Sequence, residues 1–252
     1  MGTVTYSELE HGVGRLTLTS GSGNPLTPET IEALNSELGR LTDNPPKALI
    51  LDGGDGSIFS GGFALPIIGS WDRDQIRSFF GGFLHALDRL LNLRCPTVAA
   101  INGHAIAGGF IFSLGCDLRV VKTGKVKLGL SEVDLGVGVP AGTQVLLGAR
   151  TSNQFASRIA MQGYLFSPEE ALASGYADEL ADDALAGATA LATRLAQKPG
   201  NGPAVTKELG NRNLSERVRT ADAAGLDLFL DSWFSDEAQQ SIQALAAKLS
   251  AK

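Results

Sequence analysis

Two glycine-rich segments carry the residues best suited to bind a reacting oxygen. One is Ser60-Gly61-Gly62-Phe63, which follows a short apolar run, and the other is Ala107-Gly108-Gly109, which opens a helical pattern. Glycine lets a backbone approach a ligand without a Cβ clash. Two N–H groups from separate loops can stabilise an oxygen on which negative charge develops. The alternative interpretation is two tight turns without a ligand.

Glu132 is the carboxylate best placed for acid/base chemistry. It lies in the run Leu128-Gly129-Leu130-Ser131-Glu132-Val133, among apolar residues. An apolar environment raises the pKa of a carboxyl group and suits it to proton transfer near neutral pH. The alternative is a surface turn in which Ser131 and Asp134 form local backbone hydrogen bonds.

The sequence lacks the residue patterns that other common catalytic and cofactor-binding sites require. His11 falls in a predicted hairpin turn and His85 lies off the apolar stripe of its helix, so His104 is the one histidine near the candidate site. No cluster of histidines and carboxylates has metal-ligand spacing. There is no G-x-S-x-G elbow, and neither glycine segment fits a Walker loop or a dinucleotide-binding loop. We therefore expect neither a metal nor a redox cofactor.

The composition is that of a globular protein without a basic face. Apolar residues make up 43% of the 252 residues, charged residues 19%, and the net charge is −6. Without a run of Lys or Arg, nucleic-acid binding is not expected. Cys95 and Cys116 fit neither a disulfide framework nor a metal site. The sequence has no secretory leader pattern and no apolar run of about 18 residues, which predicts a soluble cytoplasmic protein without membrane association.

The elements that must position these residues alternate between strand and helix. Alternating apolar residues between Val4 and Leu18 predict a β-hairpin, and apolar runs at 48–51 and 97–101 predict buried strands. Each buried strand is followed by a glycine-rich loop, the second of which spans 102–109, and then by a helical pattern. The order predicts crossover connections and a largely parallel sheet, whose strand ends hold the ligand.

Capping residues, apolar periodicity and a Pro- and Gly-rich segment predict where helices begin and end in other parts of the chain. A helix is predicted from Pro28, capped by Thr27, and an amphipathic helix over 73–92. Ser167-Pro168-Glu169-Glu170 has the pattern of a capping box, with proline at the first helical position. The Pro- and Gly-rich segment 199–203 separates the final helices.

Four motifs occur in order along nearly the whole chain. They are Phe59-Ser60-Gly61-Gly62; Ile101 to Gly109, with Cys116-Asp117-Leu118-Arg119 after it; Leu128 to Val133, with Leu135-Gly136 and Pro140 after it; and Gly163 to Ala171, ending in Gly175-Tyr176-Ala177-Asp178. Together they resemble the signature motifs of the enoyl-CoA hydratase/isomerase (crotonase) family. Several ordered motifs at consistent spacing are more specific than any one of them.

The resemblance implies both an architecture and a site. The fold is of the α/β class, with a crotonase-like ββα spiral core over 1–195 and a C-terminal helical oligomerisation region over 196–252. The assembly is a homotrimer or hexamer. The substrate is an acyl-CoA, so CoA enters as part of the substrate and no separate cofactor is implied. The N–H groups of Phe63 and Gly108 form an oxyanion hole, and Glu132 is catalytic. The predicted substrate-binding residues are Gly61, Gly62, Ala64, Leu65, Ile111 and Ser131.

One departure from the family pattern bears on the reaction. The hydratases carry a first glutamate three residues after the oxyanion glycine, where this chain has Ile111. Two carboxylates hold and activate a water molecule, whereas one suffices to move a proton from C2 to C4 of a 3-enoyl-CoA. We therefore predict a 3-enoyl-CoA to 2-enoyl-CoA isomerase. Ala64 also replaces the usual aspartate of the first loop, and Ala141-Gly142 replaces a glycine pair.

Three other functions stay open at the level of sequence. The first is a 2-enoyl-CoA hydratase in which another group positions the water. The second is a non-catalytic acyl-CoA-binding protein that keeps the pocket without turnover. The third is hydrolysis or decarboxylation of an acyl-CoA. A resemblance of fold does not separate these chemistries.

Overall fold

The computed structural model describes residues 2–251, which fold around two β-sheets. The strands are β1 (Thr3–Glu8), β2 (Val13–Thr19), β3 (Ala48–Asp52), β4 (Ile58–Ser60), β5 (Thr97–Ile101), β6 (His104–Ile106), β7 (Leu118–Lys122), β8 (Leu128–Gly129), β9 (Leu165–Phe166) and β10 (Glu179–Ala181). The larger sheet has the order β1-β2-β3-β5-β7-β10, and the smaller sheet has the order β4-β6-β8-β9.

The larger sheet confirms the predicted hairpin and the predicted parallel strands. β1 and β2 pair antiparallel, with Thr3 opposite Thr19. From β2 onward every pairing is parallel, through β3, β5, β7 and β10. Every residue of β3 and β5 is buried. These strands therefore read as continuous apolar runs, as expected for strands covered on both faces.

The helices begin and end at local signals. They are α1 (Pro28–Asp43), α2 (Leu65–Ile68), α3 (Arg73–Asn92), α4 (Gly108–Leu114), α5 (Ala141–Arg150), α6 (Asn153–Gln162), α7 (Pro168–Ser174), α8 (Ala184–Ala196), α9 (Gly202–Trp233) and α10 (Asp236–Ser250). Thr27 Oγ1 accepts from the N–H of Thr30 at 3.2 Å, which confirms the predicted cap of α1. The capping box of α7, between Ser167 and Glu170, is also confirmed.

The smaller sheet corrects one prediction and assembles the site. The sequence predicts a loop over 102–109, but His104–Ile106 forms β6, which pairs in parallel with both β4 and β8. Three residues carry too little pattern to reveal a strand whose partners are distant in sequence. β4 runs into the first glycine segment, β6 into the second, and β8 into Glu132. Because the carboxyl ends of parallel strands share one edge, the three candidate segments lie side by side.

The C-terminal helices pack on the same edge. α9 packs against α3 and α5, and α10 packs against α2 and the 3-10 turn Glu132–Leu135. Phe229, Trp233 and Ile242 belong to the same hydrophobic core cluster as Leu49, Leu51 and Ala99 on one face of the larger sheet. The division into a core over 1–195 and an oligomerisation region over 196–252 stays a prediction.

Candidate active site

The backbone N–H of Phe63 has no hydrogen-bond partner among residues 2–251 because of how its loop is held. Leu26 and Phe63 form an isolated parallel bridge. The N–H of Leu26 donates to the Gly62 carbonyl at 2.7 Å, and the N–H of Ala64 donates to the Leu26 carbonyl at 3.2 Å. The bridge thus uses the peptide groups on either side of Phe63. In this pairing the N–H of Phe63 points away from Leu26 and is available to a ligand.

Gly108 offers a second N–H beside the first. It is the first residue of α4, so its N–H has no partner within the helix. The preceding Ala107 has φ 50° and ψ −125°, a strained conformation for a residue with a side chain. The N–H of Ala107 donates to the Gly129 carbonyl at 2.9 Å, and this hydrogen bond helps to maintain the strained backbone conformation. A Cβ at Gly62 would lie 3.3 Å from the nitrogen of Gly108, so the two loops are in contact.

Glu132 begins a 3-10 turn at the end of β8. The turn ends at Gly136, which is left-handed with φ 78°, and the N–H of Val137 donates to the Glu132 carbonyl at 3.0 Å. The residue as a whole is half-buried, but its Oε2 is fully buried and has no hydrogen-bond partner among residues 2–251. Burial raises the pKa of Glu132 to about 7, and the backbone N–H groups of Glu132 and Ser131 oppose that rise. This carboxyl can both take and return a proton near neutral pH.

The three segments border one cavity of about 90 Å³. Of the sequence-predicted residues, those lining it are Gly61, Phe63, Leu65, Ile111, Ser131 and Glu132. Gly62, Ala64 and Gly108 are not part of the lining. Gly62 and Ala64 form the bridge to Leu26, and the ring of Phe63 covers the Cα of Gly108. Ile111 is buried on α4 and lines the same cavity as Glu132.

Sequence reasoning missed the far wall of the cavity. It consists of apolar and aromatic side chains from α3, α9 and α10: Phe80, Phe229, Trp233, Leu245 and Leu249. In the sequence these residues form the apolar stripes of ordinary amphipathic helices. No local signal shows which members of such a stripe border a cavity and which fill the core. The result is a mainly hydrocarbon chamber around one carboxyl group.

His104 lies outside this site, and the described residues provide no cluster of metal ligands. Nδ1 of His104 accepts from the N–H of Lys127 at 2.9 Å, and His104 does not line the cavity. Within residues 2–251, no group of three or more His, Cys, Asp or Glu side chains is arranged to hold a metal ion. The arrangement therefore offers two N–H donors for a developing oxyanion and one carboxyl group for proton transfer.

Comparisons with known proteins agree on one family. A family model described as "Enoyl-CoA hydratase/isomerase" matches residues 8–252. The chain is 33% identical over 196 residues to "Enoyl-CoA delta isomerase 3" of Arabidopsis thaliana, covering 74% of this chain and 82% of that protein. It is 33% identical over 194 residues to "Putative enoyl-CoA hydratase" of Thermus thermophilus, covering 74% of this chain and 75% of that protein.

A solved structure shares the whole fold. The crystal structure of human mitochondrial delta3-delta2-enoyl-CoA isomerase matches with a TM-score of 0.90 over 98% of each chain, at 24% identity. The likeness confirms the predicted α/β fold, a ββα spiral core with a C-terminal helical region. Within residues 2–251, no helix is both long enough and apolar enough to cross a lipid bilayer.

Proposed function

The chain belongs to the enoyl-CoA hydratase/isomerase family, and from that premise we propose that it moves the double bond of a 3-enoyl-CoA to the 2-position. One observation carries the proposal. Among residues 2–251, the lining of the apolar cavity includes one carboxyl group, that of Glu132, and contains Ile111 in place of a second carboxylate. Proton transfer within one substrate requires one such group. Addition of water uses two carboxyl groups, which hold and activate the water molecule between them.

The proposed reaction has two proton transfers by the same side chain. The Glu132 carboxylate takes a proton from C2, and the electron pair of that C–H bond moves into the thioester carbonyl. The resulting dienolate oxygen accepts hydrogen bonds from the N–H groups of Phe63 and Gly108. Glu132, now protonated, returns the proton to C4. The C1 carbonyl re-forms, the double bond lies between C2 and C3, and the enzyme is regenerated.

The electrostatics of the cavity suit this sequence of steps. With a pKa near 7, the Glu132 carboxylate is basic enough to take a proton, and the protonated carboxyl group is acidic enough to return it. The fixed N–H donors stabilise charge at the oxygen where it develops, and such a donor is typically worth about 10²–10³ in rate. The hydrocarbon wall excludes water, which strengthens these interactions.

Hydration of a 2-enoyl-CoA is the second candidate. Its support is the hydratase name carried by some relatives, including the protein of Thermus thermophilus. Against it stands Ile111, since an aliphatic side chain cannot help to orient or deprotonate a water molecule. A non-catalytic acyl-CoA-binding role would leave both enoyl-CoA substrates unchanged, and so would decarboxylation, which needs a carboxylated acyl group. Hydrolysis would cleave the thioester and release free CoA.

The test is to incubate the purified protein separately with a 3-enoyl-CoA and a 2-enoyl-CoA and to resolve the products by mass and retention time. Isomerisation of the first without hydration of the second is the expected result. Formation of 3-hydroxyacyl-CoA from the second at a comparable rate would favour the hydratase. Binding of both without turnover would reject both enzymatic proposals.

The assembly and the location of the protein are also proposals. We propose that the chain forms a homotrimer or hexamer through the region 196–252 and that it is located in the cytoplasm. Light scattering after size-exclusion chromatography distinguishes these assemblies from a monomer of 26.3 kDa.

A further inference from the structure

The cavity beside Glu132 is small, and its lining is mainly hydrocarbon. Its volume is about 90 Å³. Among residues 2–251, the lining includes the polar side chains of Ser131 and Glu132, and no Lys, Arg or His belongs to it. An apolar cavity of about 150 Å³ holds one molecule of benzene, which has six carbon atoms. In proportion, the cavity beside Glu132 holds about four carbon atoms of a hydrocarbon chain.

A row of three aromatic side chains forms a rigid part of the wall. The ring of Phe80 on α3 stacks on the ring of Phe229 on α9 with centroids 4.5 Å apart, and the ring of Trp233 follows 6.2 Å from that of Phe229. All three residues are buried and belong to the main hydrophobic core cluster. Side chains in a close-packed core do not move aside for a ligand without disturbing their neighbours. A longer acyl chain therefore cannot make room for itself on this side of the cavity.

Helix α10 supplies another part of the wall and is tied to the end of α9. Nε2 of Gln239 donates to the Trp233 carbonyl at 2.8 Å, which joins the two helices. Further along α10, Leu245 and Leu249 line the cavity. Leu245 is half-buried and Leu249 is 44% exposed. Because Leu245 lies between the cavity and solvent, its side chain can be shortened with little disturbance of the core.

We propose that the cavity restricts the substrate to short hydrocarbon acyl chains of about four to six carbon atoms, and that the aromatic row and Leu245 set this limit. The carbons C1 to C4, which take part in the proposed proton transfers, fill a volume of about 90 Å³. About two further carbons reach the partly exposed leucines of α10, whereas a chain of ten carbons has no room. The inference rests on the proposed function, since it assigns this cavity to the acyl chain of a 3-enoyl-CoA.

The first test measures binding and needs no turnover. Isothermal titration calorimetry of the wild type with acetyl-, butanoyl-, hexanoyl- and decanoyl-CoA gives Kd as a function of chain length. Each methylene group buried in the cavity should lower Kd about fourfold, so butanoyl-CoA should bind more than about tenfold more tightly than acetyl-CoA. Decanoyl-CoA, which overfills the cavity, should bind about tenfold more weakly than hexanoyl-CoA. Equal or tighter binding of decanoyl-CoA, or no gain from acetyl to butanoyl, would overturn the proposal.

The second test asks whether Leu245 is part of the limit. Leu245→Ala removes three carbon atoms from the wall and should improve the Kd of decanoyl-CoA relative to that of butanoyl-CoA about tenfold. Leu180→Ala is the matched control, because Leu180 is also a half-buried leucine but lies on β10, outside the cavity. It should keep the wild-type preference. An unchanged preference in Leu245→Ala, or an equal change in both variants, would overturn the role of Leu245. If Leu245→Ala does not fold, the wild-type series still decides the chain-length limit.

Kinetics separate this inference from the proposed function. The wild-type kcat/KM for 3-hexenoyl-CoA should exceed that for 3-decenoyl-CoA by about tenfold. Equal turnover of both would overturn the chain-length limit and leave the isomerase proposal standing. Turnover of neither, together with the expected order of Kd values, would reject the isomerase proposal and support the chain-length limit of the cavity.

Discussion

The ring of Phe63 covers the Cα of Gly108, where a Cβ would lie 2.9 Å from a ring carbon. The ring cannot move aside easily, because it packs edge-on against Phe79 and Phe83 with centroids 5.0 Å away in each case. The two residues proposed to donate N–H groups to one oxygen therefore fix each other's position. This contact explains why the second loop requires a glycine at this place.

Gly108→Ala should consequently disturb the oxyanion hole. The added methyl group pushes the two loops apart, and we expect kcat/KM on a 3-enoyl-CoA to fall about 10²-fold, as for loss of one such donor. Overpacking should also lower the free energy of unfolding by about 1–3 kcal/mol. Gly81→Ala, an exposed position on α3 with open space around it, is the matched control and should keep wild-type kinetics. Wild-type rates in Gly108→Ala would argue against this oxyanion hole.

Glu132→Gln should abolish proton transfer and spare substrate binding. The amide has nearly the shape of the carboxyl group but cannot accept the C2 proton, so kcat should fall about 10²–10⁴-fold. Asp134→Asn makes the same chemical change on an exposed side chain of the same turn and should retain activity. Steady-state kinetics and a binding assay with the acyl-CoA measure the two effects. Full isomerase activity in Glu132→Gln would exclude Glu132 as the base.

Ile111→Glu should add water chemistry to the site. It places a second carboxyl group in the wall of the cavity that contains Glu132, and the pair can hold a water molecule between them. We expect 3-hydroxyacyl-CoA to form from a 2-enoyl-CoA, together with a loss of stability of about 3 kcal/mol or more from the buried carboxyl group. Ile111→Gln is the control, because it changes the packing similarly without a carboxylate. Equal hydration by both variants would show that the second carboxylate is not the cause.

The rate of isomerisation should depend on pH through Glu132. The carboxylate is the active form at the start of the cycle, and burial raises its pKa to about 7. Below this value kcat/KM should fall about tenfold per pH unit, and above it kcat/KM should reach a plateau. The pH profile of kcat/KM measures this directly. An acidic limb centred near pH 4.5, the range of an exposed glutamate, would contradict the burial of this carboxyl group.

Glu132 should also make the folded protein less stable as pH rises. Its pKa is higher in the folded than in the unfolded chain, so its contribution is fully present below the unfolded pKa and is lost as pH rises through about 7. At pH 8 Glu132→Gln should therefore be more stable than the wild type by up to about 3 kcal/mol. Denaturant unfolding should show this advantage shrinking toward pH 5. An advantage that is the same at both pH values would have a different origin.

Much of the fold follows from local pattern. The helix over 73–92 has the predicted bounds because a continuous apolar stripe and an N-terminal capping box act within a few turns of chain. The start of α7 at Pro168 follows from its capping box in the same way. Strand β6 was missed because its three residues acquire their conformation from pairing with β4 and β8.

The candidate site was also predicted only in part from local sequence pattern. Sequence pattern identified Glu132 and the two glycine segments, but it left a surface turn as an alternative for Glu132. The burial of Oε2 is a property of the packed chain, because α9 and α10 supply the far wall. For the same reason, pattern could not single out Trp233 from the other apolar and aromatic residues of its helix.

The order of residues establishes which chemical groups exist and in what succession: one carboxylate among apolar residues, two glycine loops, and an isoleucine where a second carboxylate is usual. How these groups meet follows from the folded chain. The parallel pairing of β4, β6 and β8 places the three segments on one edge, and the bridge to Leu26 leaves the N–H of Phe63 free. The physical reason is that strand pairing and helix packing join residues far apart in the chain, and no local pattern encodes those partners.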